Sequence, residues 1–154
     1  MSSPEFGILL VLASNSVGDH IHRAHEAAGF DDVRPAFGAV FRALDAAPLT
    51  LTELAAKIGV AKQSAAAVVG DMVTGGYVDK RPAADDGRAR QLVLTDRGHE
   101  AIAIAKGAAQ RCERSLVRAV GADTVVAMRA ALEQFVISSG YDDELRTGQV
   151  RGSW

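Results

Sequence analysis

Cysteine is nearly absent from this chain of 154 residues; Cys112 stands alone. That excludes an intramolecular disulfide and any Cys-x-x-Cys pair, and it suits a reducing compartment. Aromatic residues make up only 5% of the chain, against 48% hydrophobic residues overall. With alanine abundant, that balance favours helices over sheet. No excess of one charge exists either, since the formal net charge is −2. The whole chain is therefore not a polycation that binds nucleic acid by charge alone, although a local basic patch remains open. Long apolar runs are missing: Ile8 to Ala13 is far too short to span a bilayer. No basic segment precedes it, so no signal peptide is expected, and the expectation is a soluble cytoplasmic protein. G-x-S-x-G, H-E-x-x-H and phosphate-loop motifs are all absent, so no enzyme and no cofactor is expected.

What is present is concentrated between Leu51 and Thr95. Thr50 and Glu53 have the spacing of a capping box, which starts a helix carrying Leu54, Ala55 and Ile58 on one face. Gly59 ends it, as a residue able to take the left-handed conformation beyond a helix terminus. A second helix is predicted from about Ala61 to Thr74. Ala65, Val68, Val69, Met72 and Val73 form its inward stripe, and Lys62, Gln63, Ala66, Ala67, Gly70 and Asp71 face outward. Gly75-Gly76 stops it. Tyr77–Arg81 and Arg90–Leu94 read as a pair of strands around a charged turn. Helix, turn, helix and hairpin in this order make a winged helix-turn-helix, a shape that places a helix in a DNA groove.

This stretch resembles the MarR family of bacterial winged helix-turn-helix transcription regulators. The resemblance is carried by LAAKIGV at 54–60, by Asp86 and Arg88 in the turn, and by Leu92-Val93-Leu94-Thr95 followed by Gly98. An AKQS opening of the second helix and the run at 34–42 add to it. The implied fold is mainly α with a small β-wing: a winged helix-turn-helix at 34–97 flanked by dimerisation helices at 5–33 and 98–139. All of it would form one domain spanning 1–154. The implied function is a ligand-responsive repressor that binds a pseudo-palindromic DNA operator as a homodimer. Lys62, Gln63 and Ser64 would open the recognition helix, with Ala66 and Ala67 behind them on its outward face. Glutamine can pair with an adenine edge, lysine with guanine or phosphate. Arg88, held by Asp86, would enter a narrow minor groove, whose negative potential attracts arginine. Arg81, Arg90 and Arg97 would be weaker phosphate candidates around the wing. The chain departs from the family at Ala61, where a polar residue is usual, at Ala66 and Ala67, where larger groups are common, and at Asp71.

The flanking segments read as helices. Phe6, Leu10, Ala13, Val17 and Ile21 recur at helical spacing within 5–28. A helix is expected from Pro35 to before Pro48, a long one from a Thr95 cap to about Val120, and a last one carrying Val125, Met128, Leu132 and Phe135 up to Gly140. These faces exceed what a small winged domain can cover, which suits dimerisation. Residues 141–154 are expected to form a flexible tail. His20, His22 and His25 suggest a metal at first sight. Residues two apart on a helix lie on opposite faces, however, and only His22 and His25 are near neighbours; no metal is expected. Cys112 lies on an Ala/Leu stripe and reads as a packed thiol. Two alternatives stay open: a winged-helix dimerisation or interaction module without specific DNA binding, and a metal or redox sensor.

Overall fold

The computed structural model describes residues 4–83 and 90–149. Among them the chain is mainly helical (72%) with a three-stranded antiparallel sheet. The elements run α1 (Phe6–Ala27), α2 (Phe37–Ala46), β1 (Leu49–Thr50), α3 (Leu51–Ile58), α4 (Lys62–Thr74), β2 (Val78–Pro82), β3 (Arg90–Leu94), α5 (Asp96–Val120), α6 (Ala122–Ser138) and α7 (Asp142–Thr147).

Two threonines start the helices that frame the wing. The Thr50 hydroxyl accepts from Glu53 N–H at 3.3 Å, while the Glu53 carboxylate accepts from Thr50 N–H at 2.7 Å. Both halves of a capping box are therefore made, and orphan amides of the first turn of α3 are satisfied. Thr95 does double duty ahead of α5. Its hydroxyl accepts from Gly98 N–H at 3.1 Å and donates to the Gly76 carbonyl at 2.6 Å. Gly59, at φ 72°, ends α3, and Val60 N–H returns to the Ala55 carbonyl at 3.1 Å.

The sheet order is β1-β3-β2. β3 lies in the middle, pairing Leu92 with Leu49 on one side and with Lys80 on the other. The two-residue strand β1 has no signal in the sequence, because Leu49 and Thr50 are too few to show alternation. β2 is an edge strand, and Pro82 is tolerated at its far end because an edge leaves one side unpaired.

The core sits inside the winged part. Phe37, Val40 and Leu44 of α2 meet Leu54 and Ile58 of α3, Val69 and Met72 of α4, and Tyr77. Tyr77 stacks edge-on against Phe37 and Phe41, with ring centroids 5.9 and 5.8 Å away. The long helices α1 and α5 pack together, and α5 contributes Ala101 and Ile102 to this core. His25 of α1 is buried there, its Nε2 2.9 Å from the Ala101 carbonyl of α5.

Two expectations need correction. The segment after Gly140 is not irregular throughout: residues 142–147 form α7, which packs on α6, and Gln149 beyond it is buried. Three consecutive acidic residues in its first turn, Asp142, Asp143 and Glu144, give it a helical start that composition alone disguised. Val73 is also exposed rather than part of the inward stripe. At about 100° per residue it lies at the margin of the arc set by Ala65, Val69 and Met72.

Candidate nucleic-acid interface

α4 is held by one face and open on the other. Ala65, Val69 and Met72 are buried. Lys62, Gln63, Ser64, Ala66, Ala67 and Gly70 are all exposed. At about 100° per residue, Gln63, Ala66, Ala67 and Gly70 share one outward face, and Lys62 and Ser64 flank it on either side.

The N-terminus of α4 is electrostatically open. Ala61 is its cap residue and makes no side-chain cap, and no acidic residue occupies the first turn. The first amides of a helix have no partner within the helix, and together they carry a partial positive charge. In α3 and α5 threonine takes up that role; in α4 the amides beside Lys62 and Gln63 are left to solvent or to an anion. The alanine that departs from the family pattern thus leaves the helix end free rather than self-satisfied.

At the wing, Arg81 and Arg90 are both exposed, on paired strands. Pro82 stands opposite Arg90, and Arg81 opposite Gln91. Arg81 also lies 3.4 Å from the Asp79 carboxylate. Asp86 and Arg88 lie outside the described residues. Asp71, an acid on the outward side of α4, is paired: Arg34, from the segment between α1 and α2, donates to its carboxylate. Its charge is therefore compensated locally. Arg97, expected as a weak phosphate contact, is instead engaged within the protein. Its Nε donates to the Gly75 carbonyl at 3.1 Å, and its guanidinium lies over the Phe30 ring, 4.4 Å from the centroid.

The three histidines go separate ways. His20 Nδ1 lies 2.7 Å from the Ser16 carbonyl, His22 is 3.3 Å from the Glu26 carboxylate, and His25 is bound to Ala101. Among the described residues no three His, Cys, Asp or Glu side chains are grouped to hold a metal ion. Cys112 is half-buried. Among the described residues no helix is long and apolar enough to cross a membrane.

Residues 35–89 match the model of the MarR family. No curated protein matches the chain. Among solved structures, the transcriptional repressor CouR bound to a 23-mer DNA duplex is 26% identical, with 86% of this chain and 92% of that one covered and a TM-score of 0.65. The transcriptional regulator Tm0710 from Thermotoga maritima is 22% identical over 89% of this chain and 96% of its own, with a TM-score of 0.60. A mutant of MepR from S. aureus bound to an oligodeoxyribonucleotide is 16% identical, covers 88% and 99%, and has a TM-score of 0.63. The last two likenesses are of fold. Together they establish the winged-helix MarR architecture over nearly the whole chain.

Proposed function

We propose that this protein is a MarR-type, sequence-specific DNA-binding transcription regulator, a repressor that works as a homodimer. The observation that carries the reading is α4: a helix locked into the core by one face, with an uncapped, acid-free first turn that presents Lys62 and Gln63 to solvent. Gln63 is the base reader, Lys62 a guanine or phosphate contact, and Ser64 a phosphate contact. Ala66 and Ala67 line the groove-facing side without reaching far. Arg81, Arg90 and the wing pair Asp86 and Arg88 supply the flanking contacts. Two such helices, one from each copy, would enter successive major grooves about one helical turn apart, on a pseudo-palindromic operator. The DNA-bound state of two of the similar structures supports the same reading.

A small-molecule effector completes the proposal. An open groove of about 310 Å³ between α1 and α5 is lined by Ala24, Ala28, Ile104 and Gly107, together with Arg111. Small apolar walls with one guanidinium suit a compact organic anion. Binding there would shift the population of arrangements of α1 and α5, and with it the spacing of the two readers.

The short outward face of Ala66, Ala67 and Gly70 favours one competing reading, a winged-helix interaction module without sequence preference. One experiment decides between them. Genomic fragments are selected on the full chain, and the winning duplex is compared with a scrambled one. The regulator reading expects enrichment of a two-fold-related sequence with a clear preference over the scrambled duplex. Equal affinity for both would leave the interaction module.

A further inference from the structure

Three segments far apart in sequence meet around one phenol. Tyr77 follows the Gly75-Gly76 turn that ends α4, and its ring is fully buried in the core. Its hydroxyl donates to the carboxylate of Asp32, in the loop between α1 and α2. Arg97, in the first turn of α5, donates through its terminal nitrogen to the same phenolic oxygen at 3.1 Å and lies 3.4 Å from the Asp32 carboxylate. Its Nε holds the Gly75 carbonyl, and its plane stacks over Phe30 and, at 4.9 Å, over Tyr77. The phenolic oxygen therefore donates once and accepts once, and the guanidinium is fixed in three directions. A Cβ added at Gly75 would sit 2.8 Å from the Asp32 carboxylate and 2.7 Å from the Tyr77 ring, so the cluster closes directly on the end of α4. The same loop makes a second tie to α4 through Arg34 and Asp71.

We infer that Asp32, Tyr77 and Arg97 form a clamp that sets the pose of α4 against α5 and the α1–α2 loop, and so sets how sharply α4 discriminates between DNA sequences. The inference rests on the DNA-reading role proposed for α4. The ion pair within the cluster is half-exposed, and such pairs add little net stability. A planar, forked guanidinium with every direction engaged adds geometric definition instead. Base reading needs that definition, because a reading side chain must be held to within about half an ångström. Asp32, Tyr77 and Arg97 are positioning residues and touch no DNA themselves. The Tyr77 phenol is held protonated, as the donor to Asp32: burial first, and then the Asp32 hydrogen bond, push its pKa above the ordinary tyrosine value.

The test uses the full chain and the duplex it selects. Tyr77→Phe removes one oxygen and leaves the ring in place. The expected result is a loss of about five- to tenfold in affinity for the selected duplex, the size of one hydrogen bond. Affinity for a scrambled duplex stays within about twofold, and the salt dependence is unchanged because no phosphate contact is lost. Asp32→Ala removes the acceptor and behaves alike, and the double variant loses no more than Asp32→Ala alone, since both break the same link. Arg97→Lys keeps the charge but not the fork, and does not restore the preference; a simple phosphate contact would be rescued. In Asp32→Ala the Tyr77 phenol titrates closer to the ordinary tyrosine value. Several results overturn the clamp: folded variants that keep the wild-type preference, equal losses on both duplexes, outright unfolding of Tyr77→Phe, or a wild-type Tyr77 that titrates as an ordinary tyrosine. A wild-type chain that selects no sequence at all overturns the DNA-reading role itself, a separate failure visible before any variant is made.

Discussion

Gly98 shows how one atom can matter. The sequence suggests only a weak spot in a helix, because glycine lowers helix propensity by about 1 kcal/mol relative to alanine. The structure gives the reason for a glycine: a Cβ there would lie 2.3 Å from the Tyr77 carbonyl. That carbonyl is backbone rather than a flexible side-chain tip, so α5 would have to move away from the Tyr77 segment ahead of β2. Gly98→Ala is therefore expected to destabilise the fold by about 1–3 kcal/mol, the usual cost of overpacking, despite the better helix propensity. Thermal melts of the two proteins check this, and a stabilised variant would refute the close approach. The capping box gives a pH prediction. Glu53 is held below the usual carboxylate range by the hydrogen bond from the Thr50 backbone and then by that from its hydroxyl. A carboxylate whose folded pKa is depressed stabilises the fold above its unfolded pKa, and the contribution fades as pH falls through the folded value. The melting-temperature gap between the wild type and Glu53→Gln should thus narrow on acidification; a gap that widens would contradict the assignment. Both threonine caps and Gly59 were legible from spacing alone, because capping is local chemistry. The contacts of Tyr77 with Asp32 and Arg97 were not, because they depend on how distant segments come together.

At the scale of elements, periodicity placed α1, α3, α4, α5 and α6 nearly to the residue, and the two long strands within one. It failed where an element is too short to have a period, as in β1 and α7. On α4 it drew the inward stripe one residue too wide, at Val73. Side-chain identity named the exposed candidates Lys62, Gln63 and Ser64 correctly as exposed, but could not show that Asp71 is paired with Arg34 or that Arg97 is occupied. The two ends of the α4 first turn make separable predictions. If Gln63 reads a base edge, Gln63→Ala costs about 1–3 kcal/mol on the selected duplex and much less on a scrambled one. If Lys62 meets phosphate, Lys62→Ala weakens both duplexes alike and lowers the salt slope by about one. Affinities measured over a salt series distinguish the two patterns, and thermal melts control for folding. Should both folded variants bind like the wild type, α4 is not the reader.

At the scale of the molecule, the apolar surface is distributed unevenly. The core is concentrated around α2, α3 and α4, while α6 buries only Val125. Phe6 and Leu12 of α1, Val126 and Phe135 of α6, and Tyr141 beside α7 are each more than half exposed. Phe6 and Phe135 touch, with ring centroids 6.3 Å apart, so the two helices bring their apolar residues to one place. Isolated surface apolar residues need no explanation, but a contiguous patch marks an interaction site. A second copy of this chain is the proposed occupant, joined about a two-fold axis as most homo-oligomers are. Met128 is exposed and lies two turns before Phe135 on the same face of α6. A charge there leaves the monomer fold undisturbed but would be buried without a partner at a dimer interface, which is strongly unfavourable. Sedimentation at micromolar concentration is expected to give a dimer for the wild type and a monomer for Met128→Glu, with the far-ultraviolet helix signal unchanged. DNA binding should follow. On a two-fold operator the monomeric variant loses the benefit of two linked readers, while its affinity for an isolated half-site stays near that of one wild-type reader. A wild-type monomer, or a Met128→Glu dimer, would place the apolar end of the molecule against something other than its own copy.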